Sequence, residues 1–275
     1  MNTEINLDHF SANNLITPST VVLSDPDFEG GHGERIFINS IAGAWEFMPD
    51  KLNEDFFSSE VVVFGGTALV PRIHSNLTEL LAKAKSKDCI TVVNTVFDFL
   101  SEKSNPGERW PLGKDFTTYG MIDLLVMDRE EAFRLSGCKD LDCSMHFFKQ
   151  MGTGAVVISG GPEDIHVYSS GQLFRENDSF SMPVSEAVLR QLADGTPGDT
   201  TGCGDNFAGG IIASLVNQMS AGSELLDLTS AVKWGIASGG FSCFYLGGVF
   251  HESHPGEKLA LIKPYLEAYE RQWNG

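Results

Sequence analysis

"GDTTGCGDNFAGGIIASL", residues 198–215, sets three glycines around acidic side chains at the mouth of an apolar stretch. Phe207, Ile211, Ile212 and Leu215 recur at helical spacing, which predicts a helix opening inside the glycine-rich turn. Glycine lets backbone approach a ligand closely, and the N–H groups that open a helix point at negative charge. Asp205 would repel a bound phosphate. The stretch therefore makes chemical sense where Asp205 takes a proton and the backbone around it holds charge. The plain alternative is a helix cap, because Asp is a favoured N-cap and glycine marks turns. On these two features alone the readings are of equal weight. The run is neither a GxxxxGK[ST] phosphate loop nor a GxGxxG dinucleotide fingerprint.

Working outward, "STVVLSD" (19–25) and "RIFIN" (35–39) read as a β-hairpin, with the glycine-bearing "PDFEGGHGE" between them as its tip. The rhythm then changes to strands alternating with helices. "EVVVFGG" (60–66), "CITVVN" (89–94), "IDLLVM" (122–127) and "GAVVIS" (154–159) are short apolar runs of the buried parallel kind. "NLTELLAKAKSK" (76–87), a segment starting near Asp128, and residues 228–244 have helical character, and 255–273 reads as a terminal surface helix. "IHVYSSGQLF" (165–174) reads as a second hairpin. Such alternation implies a parallel sheet covered by helices on both faces. The chain is expected to be a single α/β domain over 1–275, with residues 17–45 forming a small β lid.

The 275 residues carry a net charge of -18 and no basic cluster, which argues against a nucleic-acid partner. Nucleotide phosphates remain compatible with such acidity where metal ions and backbone N–H groups supply the positive charge. No apolar run approaches membrane-spanning length, and the start lacks a signal-peptide pattern. Five cysteines, odd in number and without a CxxC pair, fit a reduced, cytoplasmic setting.

The run "DTTGCGDNFAGG" resembles the C-terminal signature of the PfkB, or ribokinase-like, family of carbohydrate kinases, whose usual form is D-T-x-G-A-G-D. The resemblance implies transfer of the ATP γ-phosphoryl group to a hydroxyl of a sugar. Asp205 would be the base, and the N–H groups of Gly202, Cys203 and Gly204 the anion hole. Cys203 stands where alanine is usual, and a backbone role tolerates that change. "IDLLVMDREEAFRLSG" resembles the segment carrying N-x-x-E, which implies that Asp128 and Glu131 organise Mg²⁺; without the family, both are acidic residues in a helix's first turn. "VVISGGPED" resembles a nucleotide-touching loop, placing Ser159 and Gly161 at ATP. "KWGIASGG" falls at the adenine pocket, through Gly235 and Ala237, with close helix packing as the equal alternative. A monovalent cation such as K⁺ is expected near Asp199 and Thr201, with carbonyls from 242–248.

Asn94 and Asp98 follow a strand end, where open α/β sheets bind ligands, and are candidates for substrate hydroxyls or for capping the next turn. The "HESH" histidines at 251 and 254 are poor evidence for zinc. The resemblance covers most of residues 15–270, yet the family's first strand–helix unit, with its sugar-holding G-G-x-x-x-N, is missing from this sequence. A nucleoside kinase of the same fold and a non-catalytic nucleotide-binding protein are the alternatives. The lid implies the sugar and nucleoside branch and a homodimer formed through it. Cys203, at a helix start, is expected to favour a thiolate, opposed by Asp199 and Asp205, or else to be buried in packing.

Overall fold

The computed structural model describes residues 14–25, 34–195 and 199–275. The first 13 residues, the hairpin tip at 26–33 and residues 196–198, including the first glycine of the quoted turn, lie outside the described residues.

Ser19–Asp25 (β1) and Glu34–Ser40 (β2) pair antiparallel as a separate two-stranded sheet, with Val21 opposite Ile38, Val22 opposite Phe37 and Leu23 opposite Ile36. Alternate residues of a strand face opposite sides, so this ribbon is apolar on both faces. All six of those side chains are exposed, Ile36 by 60% and Ile38 by 57%.

The body of the chain begins with Val61–Gly65 (β3), Pro71–Ser75 (α1), Leu77–Lys85 (α2), Ile90–Asn94 (β4) and Phe99–Ser104 (α3). Leu124–Asp128 (β5), Arg129–Ser136 (α4), Leu141–Gln150 (α5) and Ala155–Gly160 (β6) follow. Glu163–Ser169 (β7) and Asn177–Met182 (β8) come next. The chain continues through Glu186–Ala193 (α6), Cys203–Ser220 (α7), Leu228–Ser242 (α8) and Glu257–Asn274 (α9). The six-stranded sheet runs β3-β4-β5-β6-β7-β8, parallel from β3 to β6 and antiparallel thereafter.

The apolar runs of β4, β5 and β6 became central strands because both of their faces are covered, whereas β3 forms the sheet edge and exposes Val63. On β5, Leu125 and Met127 join Val156, Ile158 and the helical Leu81, Leu135 and Phe148 in one buried cluster. Their neighbours Leu124 and Val126 join Ala155, Val157 and the helical Phe207, Ile211, Leu215 and Val232 in another. A period of two thus divides one strand between two cores. Burying such side chains contributes about 1.5–3 kcal/mol each before the entropy cost of ordering them.

The last two strands correct the expected 165–174 hairpin. Phe174 pairs with Leu226 instead, with the Arg175 N–H donating to the Leu226 carbonyl, and the return strand begins only at Asn177. The loop after β7 is drawn to the segment before α8 first. A second correction concerns the cysteines: Cys138 and Cys143 form a disulfide that closes the connection between α4 and α5. The terminal helix is more than a surface element, since it buries Ile262, Leu266 and Tyr269. Among the described residues no helix is long and apolar enough to cross a membrane.

Candidate active site

The turn before α7 is built by one glycine and two polar side chains. Gly202 has φ 77°, a left-handed conformation, and a Cβ there would lie 2.5 Å from the Gly248 Cα. The Asp199 carboxylate accepts the Thr201 N–H at 2.9 Å on one oxygen and the Gly247 N–H at 2.9 Å on the other. The Asp199 N–H itself donates to the Cys243 carbonyl at 2.9 Å. Asp199 and Gly202 therefore clamp the turn to the segment that follows α8.

Asn206 completes the clamp. Its amide Nδ2 donates to the carbonyls of Gly202 (2.8 Å) and Gly248 (3.1 Å). Its Oδ1 accepts from the Tyr245 hydroxyl at 3.2 Å and from Lys258 Nζ at 2.6 Å. Burial lowers the Lys258 ammonium below its usual range, against the opposing pull of Glu252. Sequence reading did not single out Asn206 or Lys258, and it reached Gly248 only as part of the 242–248 segment. The only signal for Asn206 was its place next to Asp205.

Asp205 lies in the first turn of α7, and both it and Gly204 are exposed. Neighbouring protein atoms partly desolvate the Asp205 carboxyl and raise it above its ordinary range. Of the three N–H groups expected to form an anion hole, that of Cys203 donates to the Thr200 carbonyl at 3.2 Å. The Cys203 side chain is half-buried, with its sulfur 3.4 Å from that of Cys243.

A second group of candidates lines the C-terminal ends of the parallel strands, where strand register sets Gly65 beside Asn94 and Asp128 beside Ser159. Asp128 and Glu131 form a reciprocal capping box on α4. Asp128 Oδ1 accepts the Glu131 N–H at 2.8 Å, and Glu131 Oε2 accepts the Asp128 N–H at 3.1 Å. Glu131 Oε2 also accepts the Thr95 hydroxyl at 2.6 Å. Burial, then the adjacent Asp128 charge, push Glu131 up to about 7, and burial raises Asp128 as well. Two oxygen donors at one helix start suit a hard cation that keeps several waters. Among the described residues no group of three or more His, Cys, Asp or Glu side chains is placed to hold a metal.

The remaining candidates are dispersed. Ser159 Oγ donates weakly to the Met127 carbonyl at 3.5 Å, and Gly161 takes φ 65° in the turn to β7. Asn94 is half-buried, whereas Asp98 is buried and caps α3 through the Ser101 N–H at 2.9 Å. Asp98 also faces His74, whose Nε2 lies 3.8 Å from its carboxylate. Gly235 and Ala237 sit between helices. A Cβ at Gly235 would meet Ile211 at 2.8 Å, and Ala237 is fully buried with Phe241, Ile262 and Leu266. Gly235 thus lies in the close contact of α8 with α7, and Ala237 faces the contact of α8 with α9.

The fold has clear relatives among solved structures. The Thermotoga maritima ribokinase superposes with a TM-score of 0.61 at 17% identity, covering 94% of this chain and 70% of that one. The Arabidopsis thaliana ribokinase complexed with ribose and ATP gives 0.60 at 16% identity, covering 91% and 70%. A candidate ribokinase II from E. coli in complex with ATP and Mg²⁺ gives 0.62 at 16% identity, covering 84% and 68%. This chain is thus an α/β protein of ribokinase-like fold, spanning about seven tenths of the length of those neighbours. The model of the pfkB family carbohydrate kinases matches residues 27–253, so the chain belongs to that family.

Proposed function

We propose that this chain is an ATP-dependent kinase that phosphorylates a hydroxyl of a sugar, with Asp205 as the general base. The observation that carries the reading is the turn before α7. An exposed carboxylate of raised proton affinity stands beside a glycine turn that Asp199 and Asn206 hold in place. Its chemistry matches what hydroxyl attack on a phosphoryl group needs: a base at the nucleophile and backbone N–H groups near the charge that develops. Gly202, Cys203 and Gly204 would face the phosphates, with the Cys203 N–H exchanging its Thr200 carbonyl for the anion.

Asp128 and Glu131 would hold Mg²⁺, through bound water where their capping bonds are retained. Mg²⁺ supplies positive charge against the phosphates when bound. Ser159 and Gly161 lie at the same strand edge and would border the nucleotide, while Asn94 would meet the sugar. A monovalent cation beside Asp199 and Thr201 would draw its other oxygens from the carbonyls of 242–248. A second copy of the chain would cover the exposed ribbon of β1 and β2.

The test is ADP formation and phosphate-ester mass across pentoses, hexoses and nucleosides with ATP and Mg²⁺. One sugar is expected to give stoichiometric ADP and ester. ATP binding with no ester from any acceptor would favour a non-catalytic nucleotide-binding protein, and turnover confined to nucleosides would reassign the substrate class.

A further inference from the structure

Cys203 and Cys243 are forty positions apart, yet their sulfurs lie 3.4 Å from each other, half-buried where α7 begins and α8 ends. The helices themselves impose the approach. Gly210 packs against the Trp234 carbonyl and Ser238, and Gly239 packs against the Cys203 carbonyl and Phe207, so the start of α7 lies along the end of α8. The Asp199 N–H bond to the Cys243 carbonyl pins the two backbones at the same point. The reaction proposed above uses only the backbone of Cys203, so both thiols are otherwise unassigned.

We propose that Cys203 and Cys243 are a thiol modification site, joined reversibly into a disulfide by a small-molecule disulfide of the oxidised-glutathione class. Two S–H bonds and the reagent's S–S bond break. One protein S–S bond forms, and the reagent leaves as two thiols carrying the two protons and two electrons. A disulfide spans about 2.03–2.05 Å, so the sulfurs must close by about 1.4 Å. In the reduced protein the hydrogen bond with Cys203, then burial, hold the Cys243 thiol above its ordinary range. Closing that gap displaces the first turn of α7. The effect on catalysis rests on the kinase reading, but formation of the bond does not.

The experiment incubates the full chain with oxidised glutathione, alkylates it, and maps peptides by mass without reduction. The Cys138–Cys143 disulfide provides an internal reference. The Cys203 and Cys243 peptides are expected to be linked, with the link lost on dithiothreitol treatment and absent from C243S. Sugar-dependent ADP formation should fall about 10²-fold on oxidation, the scale of a 1 Å displacement at a reacting centre, and should return on reduction. Each variant is compared with its own unoxidised sample. Alkyl label on both Cys203 and Cys243 while Cys138–Cys143 is oxidised would overturn the site. Linked peptides with an unchanged rate would overturn its control of the turn. A reduced protein that transfers no phosphate counts against the kinase reading alone, because the peptide map still decides the disulfide.

Discussion

Gly202 shows how one residue determines whether the site exists. Its left-handed φ and the 2.5 Å approach of a Cβ to the Gly248 Cα exclude any side chain there. Gly202→Ala is therefore expected to lose about 1–3 kcal/mol from backbone strain alone, read as a lower unfolding midpoint in denaturant. A midpoint equal to that of the parent would mean that the turn is not held as described. His74 gives a pH dependence. Burial, opposed by Asp98 and the Pro111 carbonyl, pulls its imidazole below the ordinary 6.5, while its ring bonds Thr67 and the Pro111 carbonyl. The unfolded chain binds this proton more readily, so the stability linked to His74 is present above pH 6.5 and is lost as pH falls through the lowered value. The melting temperature of the parent should drop more steeply below pH 6.5 than that of His74→Gln, and parallel curves would show that His74 contributes nothing to the slope. Much of the candidate site was legible at this scale, because D-T-T-G-C-G-D is contiguous. Asn206 and Lys258 were not, since their partnership joins residues 52 positions apart and exists only after α9 has packed. Asp128 and Glu131 were legible as a pair, and the capping box explains why the bland reading of a helix start was also sound.

At the scale of elements, the sequence pattern was clearest where burial is two-sided. The apolar runs of β4 to β6 have no polar alternation to place a face at a surface, whereas the equally apolar β3 lies at the sheet edge and exposes Val63. Helix α7 was legible from Phe207, Ile211 and Leu215, all of which are buried. The hairpin after β6 was misplaced because the Phe174–Leu226 bridge is set by a distant segment and leaves no local mark. Gly235 and Ala237 were legible only as small residues in helix contacts, because two helices in close contact and a ligand pocket both select small side chains. The ribbon of β1 and β2 makes its own prediction. A lone two-stranded hairpin is marginal in water, and this one exposes apolar side chains on both faces. Replacing Ile38 by Asp should shift the molecular mass measured by light scattering from dimer towards monomer. A parent that is already monomeric at high micromolar concentration would refute the lid as a dimer contact.

For the whole molecule, fold and chemistry meet at two edges: the ends of the parallel strands, with Asn94, Asp128 and Ser159, and the clamped turn with Asp205. A net charge of -18 makes that turn's backbone N–H groups and the proposed Mg²⁺ the natural places for phosphate. In the proposed reaction Asp205 acts on the reacting hydroxyl rather than capping a helix. The most direct test is Asp205→Ala, with phosphoryl-transfer rate and ATP affinity measured on the same preparation. Removing a general base is expected to slow transfer by about 10²–10⁴-fold while ATP affinity stays near that of the parent. Near-parent turnover, or a loss of ATP affinity as large as the loss of rate, would contradict the assignment and return Asp205 to a structural role.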